Sequence, residues 1–133
     1  MSEDAQKRPW DNANGVQILL QAQESGMLEP LMAQLRKDYD RAGVLFPFQG
    51  KDVLELGVDD LFAGLKEHMY RLLMEYFDQY LNLMYAVDIP ERDFSTLQLT
   101  DAVDAAGQLT VMVITREWHK LQLRQRFGGA DKS

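Results

Sequence analysis

Residues 100–127, TDAVDAAGQLTVMVITREWHKLQLRQRF, decide the fold class, because they are compatible with one long helix or with part of a β-hairpin. The hairpin interpretation covers about residues 96–115, where LTVMVIT is rich in β-branched residues and Asp104 to Gly107 could turn. We favour the helix, because residues 116–127 continue with good helix formers and no turn signal. The stretch therefore predicts an all-α protein, with an α+β fold containing a C-terminal β-hairpin as the alternative.

Three more helices are predicted from apolar residues at helical spacing. The first covers residues 13–24 and ends at Ser25-Gly26. The second has Pro30 in its first turn, where a missing N–H costs nothing, and stops near Ala42-Gly43. The third runs from Asp59 or Asp60 to Ala86. With residues 100–127, these segments form a compact four-helix bundle of two short and two long helices.

The third helix has polar side chains on only one side. At 100° per residue they fill an arc of about 120°, and its members are Gly64, Glu67, His68, Arg71, Glu75, Asp78, Gln79 and Asn82. The rest of its circumference is largely apolar or aromatic, which is typical of a helix buried by several neighbours. We therefore expect this helix at the centre of the bundle, with its aromatic residues in the core: Tyr70, Tyr76, Phe77, Tyr80 and Tyr85.

Length and composition fit one globular domain. Of 133 residues, 46% are apolar and 26% are charged. We expect a single helical domain over residues 13–127, a flexible N-terminus over 1–12 and a flexible tail over 128–133. The longest unbroken apolar stretch, Leu83–Val87, is far shorter than the roughly 20 residues that span a bilayer. We therefore expect a cytoplasmic protein without a membrane partner.

Cysteine is missing from the sequence. Its absence excludes disulfides, zinc–thiolate sites, iron–sulfur clusters and cysteine nucleophiles, and it fits a reducing compartment. The sequence also lacks the G-x-S-x-G, G-x-G-x-x-G and phosphate-loop motifs. We predict no cofactor and no catalytic residue, and we lean towards a protein that is not an enzyme.

Charge is distributed unevenly along the chain. The net charge is −7, yet residues 51–104 hold twelve acids and four bases, whereas the segment from Thr115 onward holds five bases and two acids. The overall acidity argues against a nucleic-acid coat, so nucleic acid is not the expected partner. Pairing of the basic C-terminal end with acids of the same chain is the simplest interpretation.

Four bases near the end form the candidate anion-binding residues. Arg116, Lys120 and Arg124 recur every fourth residue on one helix stripe, with Arg126 nearby. Clustered cations of this kind contact anions, nucleotides or RNA in other proteins, so such a contact is the first alternative function.

A second polar stripe lies on the third helix and contains His68, Arg71, Glu75 and Asp78. Its simplest interpretation is a solvent-facing row of i,i+4 ion pairs. His68 has no histidine three or four residues away, so we predict no metal site. A small metal-dependent or acid–base enzyme using His68 with Glu75 or Asp78 is the second alternative function.

Two stretches, residues 80–91 (YLNLMYAVDIPE) and 114–124 (ITREWHKLQLR), resemble segments of small uncharacterised bacterial helical proteins. The resemblance covers under a fifth of the chain. It implies that the second stretch is helical and that the protein is bacterial and cytoplasmic, and it brings no activity or ligand.

The function expected from the sequence is a non-enzymatic helical interaction or assembly module, plausible as a homodimer. The third helix has more apolar circumference than three partners of modest length cover, and the chain shows no evident reactive centre.

Overall fold

The computed structural model describes residues 10–48 and 52–131, with side chains as far as Arg126. Residues 1–9 of the predicted flexible N-terminus lie outside this range, as do residues 132 and 133 of the predicted tail. Among the described residues, none of the helices combines the length and the apolar composition needed to cross a bilayer.

The described chain is all helical, which confirms the predicted fold class. Residues 102–115 lie in a helix, so the alternative hairpin is not supported. The helices are α1 Asn12–Glu24, α2 Leu28–Arg41, α3 Val58–Glu75, α4 Phe77–Val87, α5 Glu91–Phe94 and α6 Ala102–Asp131, with a 3-10 turn at Val53–Glu55. α6 continues to Asp131, beyond Phe127, at which we expected the domain to end.

Local sequence signals set most helix ends. Pro30 lies in the first turn of α2 as predicted. The turns after α1 and α2 use Gly26 and Gly43 at φ values of 73° and 75°, a conformation that glycine adopts without strain. The Asp101 carboxylate accepts from the Asp104 N–H at 3.0 Å and caps α6. Ser95 follows α5, and its N–H donates to the Glu91 carbonyl at the start of that short helix.

The predicted third helix is divided in two at Tyr76. This residue adopts φ −139° and ψ 59°, outside the helical region, and separates α3 from α4. Neither proline nor glycine occupies the break, so the usual local cause of a kink is missing. The break changes the rotational phase of α4 relative to α3. The polar arc calculated for one continuous helix therefore does not describe the two helices together.

The central helix is α6, and the expectation that the third predicted helix is central was wrong. α6 packs against α1, α2, α3 and α4. From Ala105 to Trp118 none of its residues is exposed. Small residues at 105–107 admit close neighbours, and the buried Thr110 hydroxyl donates to the Ala106 carbonyl at 2.8 Å. Burial on all sides therefore overrides the strand preference of LTVMVIT, since packing outweighs intrinsic propensity.

α1 lies close to both α3 and α6 at Gly15. A Cβ atom there would lie 2.6 Å from Cε1 of Phe62 and 3.1 Å from Cγ2 of Val111. Both neighbours are buried core side chains with no free space to move into. Alanine is a better helix former than glycine, but only glycine fits this close contact between the helices.

We predict that Gly15→Ala lowers the free energy of unfolding by about 1–2 kcal/mol, because overpacking outweighs the gain in helix propensity. Urea unfolding followed by circular dichroism measures the change. Gln17→Ala, at an exposed position of the same helix, is the control and should change the stability by less than about 0.5 kcal/mol. A Gly15→Ala variant as stable as the wild type would contradict the close contact.

Candidate functional site

A surface groove of about 690 Å³ contains half of the polar stripe predicted on the third helix. His68 and Arg71 line it, whereas Glu75 and Asp78 are exposed and lie outside its lining. One wall is apolar and comes mainly from the segment after α2: Leu45, Phe46, Pro47, Phe48 and Leu72. The other wall is polar or amphipathic: Glu67, His68, Arg71, Tyr76 and Gln79. The structure thus separates the two carboxylates from the histidine with which we grouped them.

His68 is half-buried and stacks on Tyr39, with ring centroids 5.7 Å apart. Its Nδ1 atom is buried, and no hydrogen-bond partner for it is found among the described residues. Burial, helped by the positive charge of Arg71, lowers the pKa of His68, so the imidazole is neutral at neutral pH. The described part of the chain also holds no group of three histidine or acidic side chains placed to bind a metal ion.

The four candidate anion-binding bases have different environments. Arg116 Nη2 lies 2.8 Å from Oδ2 of Asp88, and Lys120 Nζ lies 2.8 Å from Oδ2 of Asp38. Arg124 and Arg126 are exposed. Two of the four cations therefore form ion pairs with acids of the same chain. This agrees with the simpler interpretation of the basic C-terminal end, in which it pairs with acids of its own chain.

A buried polar cluster that we did not single out from the sequence lies between α2 and α6. It contains Gln34 and Asp38 of α2 together with Glu117 and Lys120 of α6, and we call it the α2–α6 polar cluster. The side chains of Asp38 and Glu117 are only 4% and 1% exposed. Carboxyl groups so far from water require partners, because an unpaired buried charge is strongly unfavourable.

Hydrogen bonds connect this cluster across three helices. Gln34 Nε2 donates to the Glu117 carbonyl at 2.8 Å and to Glu117 Oε1 at 2.6 Å. Lys120 Nζ donates to Asp38 and, at 3.0 Å, to the carbonyl of Val87 at the end of α4. It also lies 3.4 Å from Glu117 Oε1. The lysine ammonium thus joins α2, α4 and α6 at one point.

The pKa values of the two carboxyl groups of the cluster are shifted in opposite directions from their ordinary values. Burial, together with hydrogen bonding to Asp38, raises the pKa of Glu117 to about 8. Burial alone would raise the pKa of Asp38 too, but hydrogen bonds from Glu117 and Lys120 and the charges of Lys120 and Arg41 outweigh it and lower this pKa. At neutral pH, Asp38 is therefore ionised and Glu117 is protonated.

A sequence signal for the cluster exists in the helix pattern. Gln34 and Asp38 lie beside Leu35 and Tyr39 on the apolar face of α2, and Glu117 precedes the buried Trp118. Polar residues at core positions indicate a buried network. The pairing itself gives no local signal, because Gln34 and Glu117 are 83 residues apart.

Most aromatic residues that we assigned to the core lie at the surface, so that prediction was largely wrong. Of the five, only Tyr80 is buried, and the exposed ones are Tyr70, Tyr76, Phe77 and Tyr85. The break at Tyr76 shifts the phase of α4 relative to α3. The four exposed aromatic residues lie between positions 70 and 85, on both sides of this break and at it.

No protein-family model, curated protein or solved structure matches the chain.

We predict that Lys120→Met lowers the free energy of unfolding by about 2 kcal/mol or more at pH 7, because it leaves buried carboxyl groups without their cation. Methionine keeps most of the aliphatic stem. Arg124→Met, at an exposed position of the same helix, is the control and should cost less than about 0.5 kcal/mol. Equal losses in thermal or urea unfolding would contradict the structural role of Lys120.

Proposed function

We propose that this chain is a non-enzymatic helical module that associates with a second copy of itself through the surface at the α3–α4 junction. The supporting observation is the exposure of large apolar side chains within a short segment. Tyr70, Met74, Tyr76 and Phe77 are 38%, 57%, 48% and 43% exposed. Clustered exposed apolar residues mark contact surfaces more often than ordinary monomer surface.

Helical spacing aligns these side chains into stripes. Tyr70, Leu73 and Met74 are at i, i+3 and i+4 of α3. Phe77, Leu81 and Tyr85 are at i, i+4 and i+8 of α4, and Tyr85 is 59% exposed. Leu73 and Leu81 are partly buried against the core, whereas the other members of the two stripes are exposed: Tyr70, Met74, Phe77 and Tyr85.

Charges of both signs border these stripes, and this favours a second copy as the partner. Arg71 lies beside the α3 stripe, and Glu75 and Asp78 lie close to it in the chain. In a two-fold contact, each residue of one copy meets the matching surface of the other, so a mixed rim is self-complementary. A chain with a net charge of −7 needs such a cation at the contact to limit repulsion between copies.

A cytoplasmic location belongs to the same proposal. It is supported by the cysteine-free composition, which fits a reducing compartment, and by the resemblance to bacterial proteins.

We predict that Met74→Glu weakens self-association by about 100-fold or more, because a two-fold contact buries the new charge twice. Sedimentation velocity over a range of protein concentrations measures it. Leu123→Glu is the matched control: Leu123 is 49% exposed on α6 and lies outside the proposed surface, so this variant should dimerise like the wild type. A wild-type chain that stays monomeric at all concentrations would overturn the proposal, as would equal weakening by the control.

A further inference from the structure

The α2–α6 polar cluster has two buried carboxyl groups facing one partly buried cation, Lys120. Lys120 is the cation that faces both carboxyl groups, and Arg41, 61% exposed, contacts only Oδ1 of Asp38 at 2.9 Å. Glu117 Oε1 accepts from Gln34 and faces Lys120. Glu117 Oε2 is buried, and as a carboxylate oxygen it has no hydrogen-bond partner among the described residues. A proton on this atom would remove the excess charge and supply a donor.

Asp38 is the acceptor for that donor. A protonated Glu117 hydrogen-bonds to the Asp38 carboxylate, which keeps Asp38 ionised for its bonds to Lys120 and Arg41. One proton thereby gives both acids a hydrogen-bond partner. The charges that remain are the Asp38 carboxylate, the partly buried Lys120 ammonium and the surface guanidinium of Arg41.

We propose that one proton shared between Asp38 and Glu117 acts as a pH-sensitive lock on the packing of α2 against the central helix α6. The lock holds while the proton is bound. Its loss places a second negative charge among buried groups of three helices. This proposal is independent of self-association.

The other groups around Glu117 do not supply a compensating positive charge. On α2, Tyr39 is fully buried and neutral, since burial and the Glu117 charge raise its pKa. Directly after α4, the Asp88 carboxylate pairs with Arg116 of α6. On α3, the ring of His68 stacks on Tyr39 and is neutral. Within the described part of the chain, the direct favourable partners of ionised Glu117 are therefore Lys120 and Gln34.

The sign of the pH effect follows from linkage. The pKa of Glu117 is about 8 in the folded chain and 4.5 as the ordinary value, so between these values the folded state holds a proton that the unfolded state has lost. The contribution of Glu117 to the free energy of unfolding is therefore largest below pH 4.5. It declines as the pH rises to about 8 and does not change at higher pH. The contribution of Asp38 has the opposite pH dependence, because its pKa is lowered: it decreases as the pH falls below the ordinary value of 3.8 and does not change above it. The lowered pKa of His68 likewise makes the free energy of unfolding decrease as the pH falls below about 6.5, opposite to the effect of Glu117.

The test compares the wild type with Glu117→Gln by urea unfolding from pH 5 to pH 9 at one protein concentration. Glutamine imitates protonated glutamate at every pH, and the His68 contribution is common to both chains. The wild-type unfolding constant should rise relative to the variant by up to about tenfold per pH unit, then level off above about pH 8. Glu24→Gln, at an exposed position of α1, should follow the wild-type profile. Parallel wild-type and Glu117→Gln profiles would overturn the proposal.

A direct measurement on the wild type covers the case in which Glu117→Gln does not fold. Carbon-13 NMR of side-chain carboxyl groups should show one glutamate with a midpoint near pH 8. A spectrum in which every glutamate carboxyl titrates below pH 6 would equally overturn the proposal.

Discussion

The structure depends on the burial of α6 on all sides. A helix with no exposed residue over nearly four turns, from Ala105 to Trp118, must have neighbours around its whole circumference. α1, α2, α3 and α4 supply them. Their approach depends on small side chains at the contacts, such as Gly15 facing Phe62 and Ala106 within α6. The other helices are arranged by their need to cover this one.

Burying α6 also requires partners for its polar residues. Thr110 satisfies its hydroxyl within the helix, while Glu117 and Lys120 find their partners on α2 and α4. The buried network gives α2 one preferred position on α6, because sliding by one residue would break several hydrogen bonds at once. Apolar packing along α6 supplies the stabilising energy, and the polar cluster limits the arrangement to one alignment.

Local signals in the sequence account for the fold class and most helix boundaries. Pro30, Gly26 and Gly43 mark helix ends because their backbone preferences act at their own positions. The centre of the bundle was assigned to the wrong helix, since the apolar arc of residues 59–86 was calculated for a continuous helix and Tyr76 interrupts it. For the site, His68 and Arg71 were found together from their spacing, but Asp38 and Glu117 were not. Their pairing depends on tertiary structure across about eighty residues, beyond the range of any local pattern.

The position of α6 in the chain has a consequence for synthesis. The ribosome releases the four helices that surround α6 before α6 itself, so the emerging chain has the outer parts of the core without its middle. The contacts that α1 makes with α6 join residues far apart in sequence, and the entropy of closing such long loops must be overcome late. Folding of this bundle therefore waits for the synthesis of α6, and until α6 emerges the nascent chain presents apolar surface of the kind that chaperones bind.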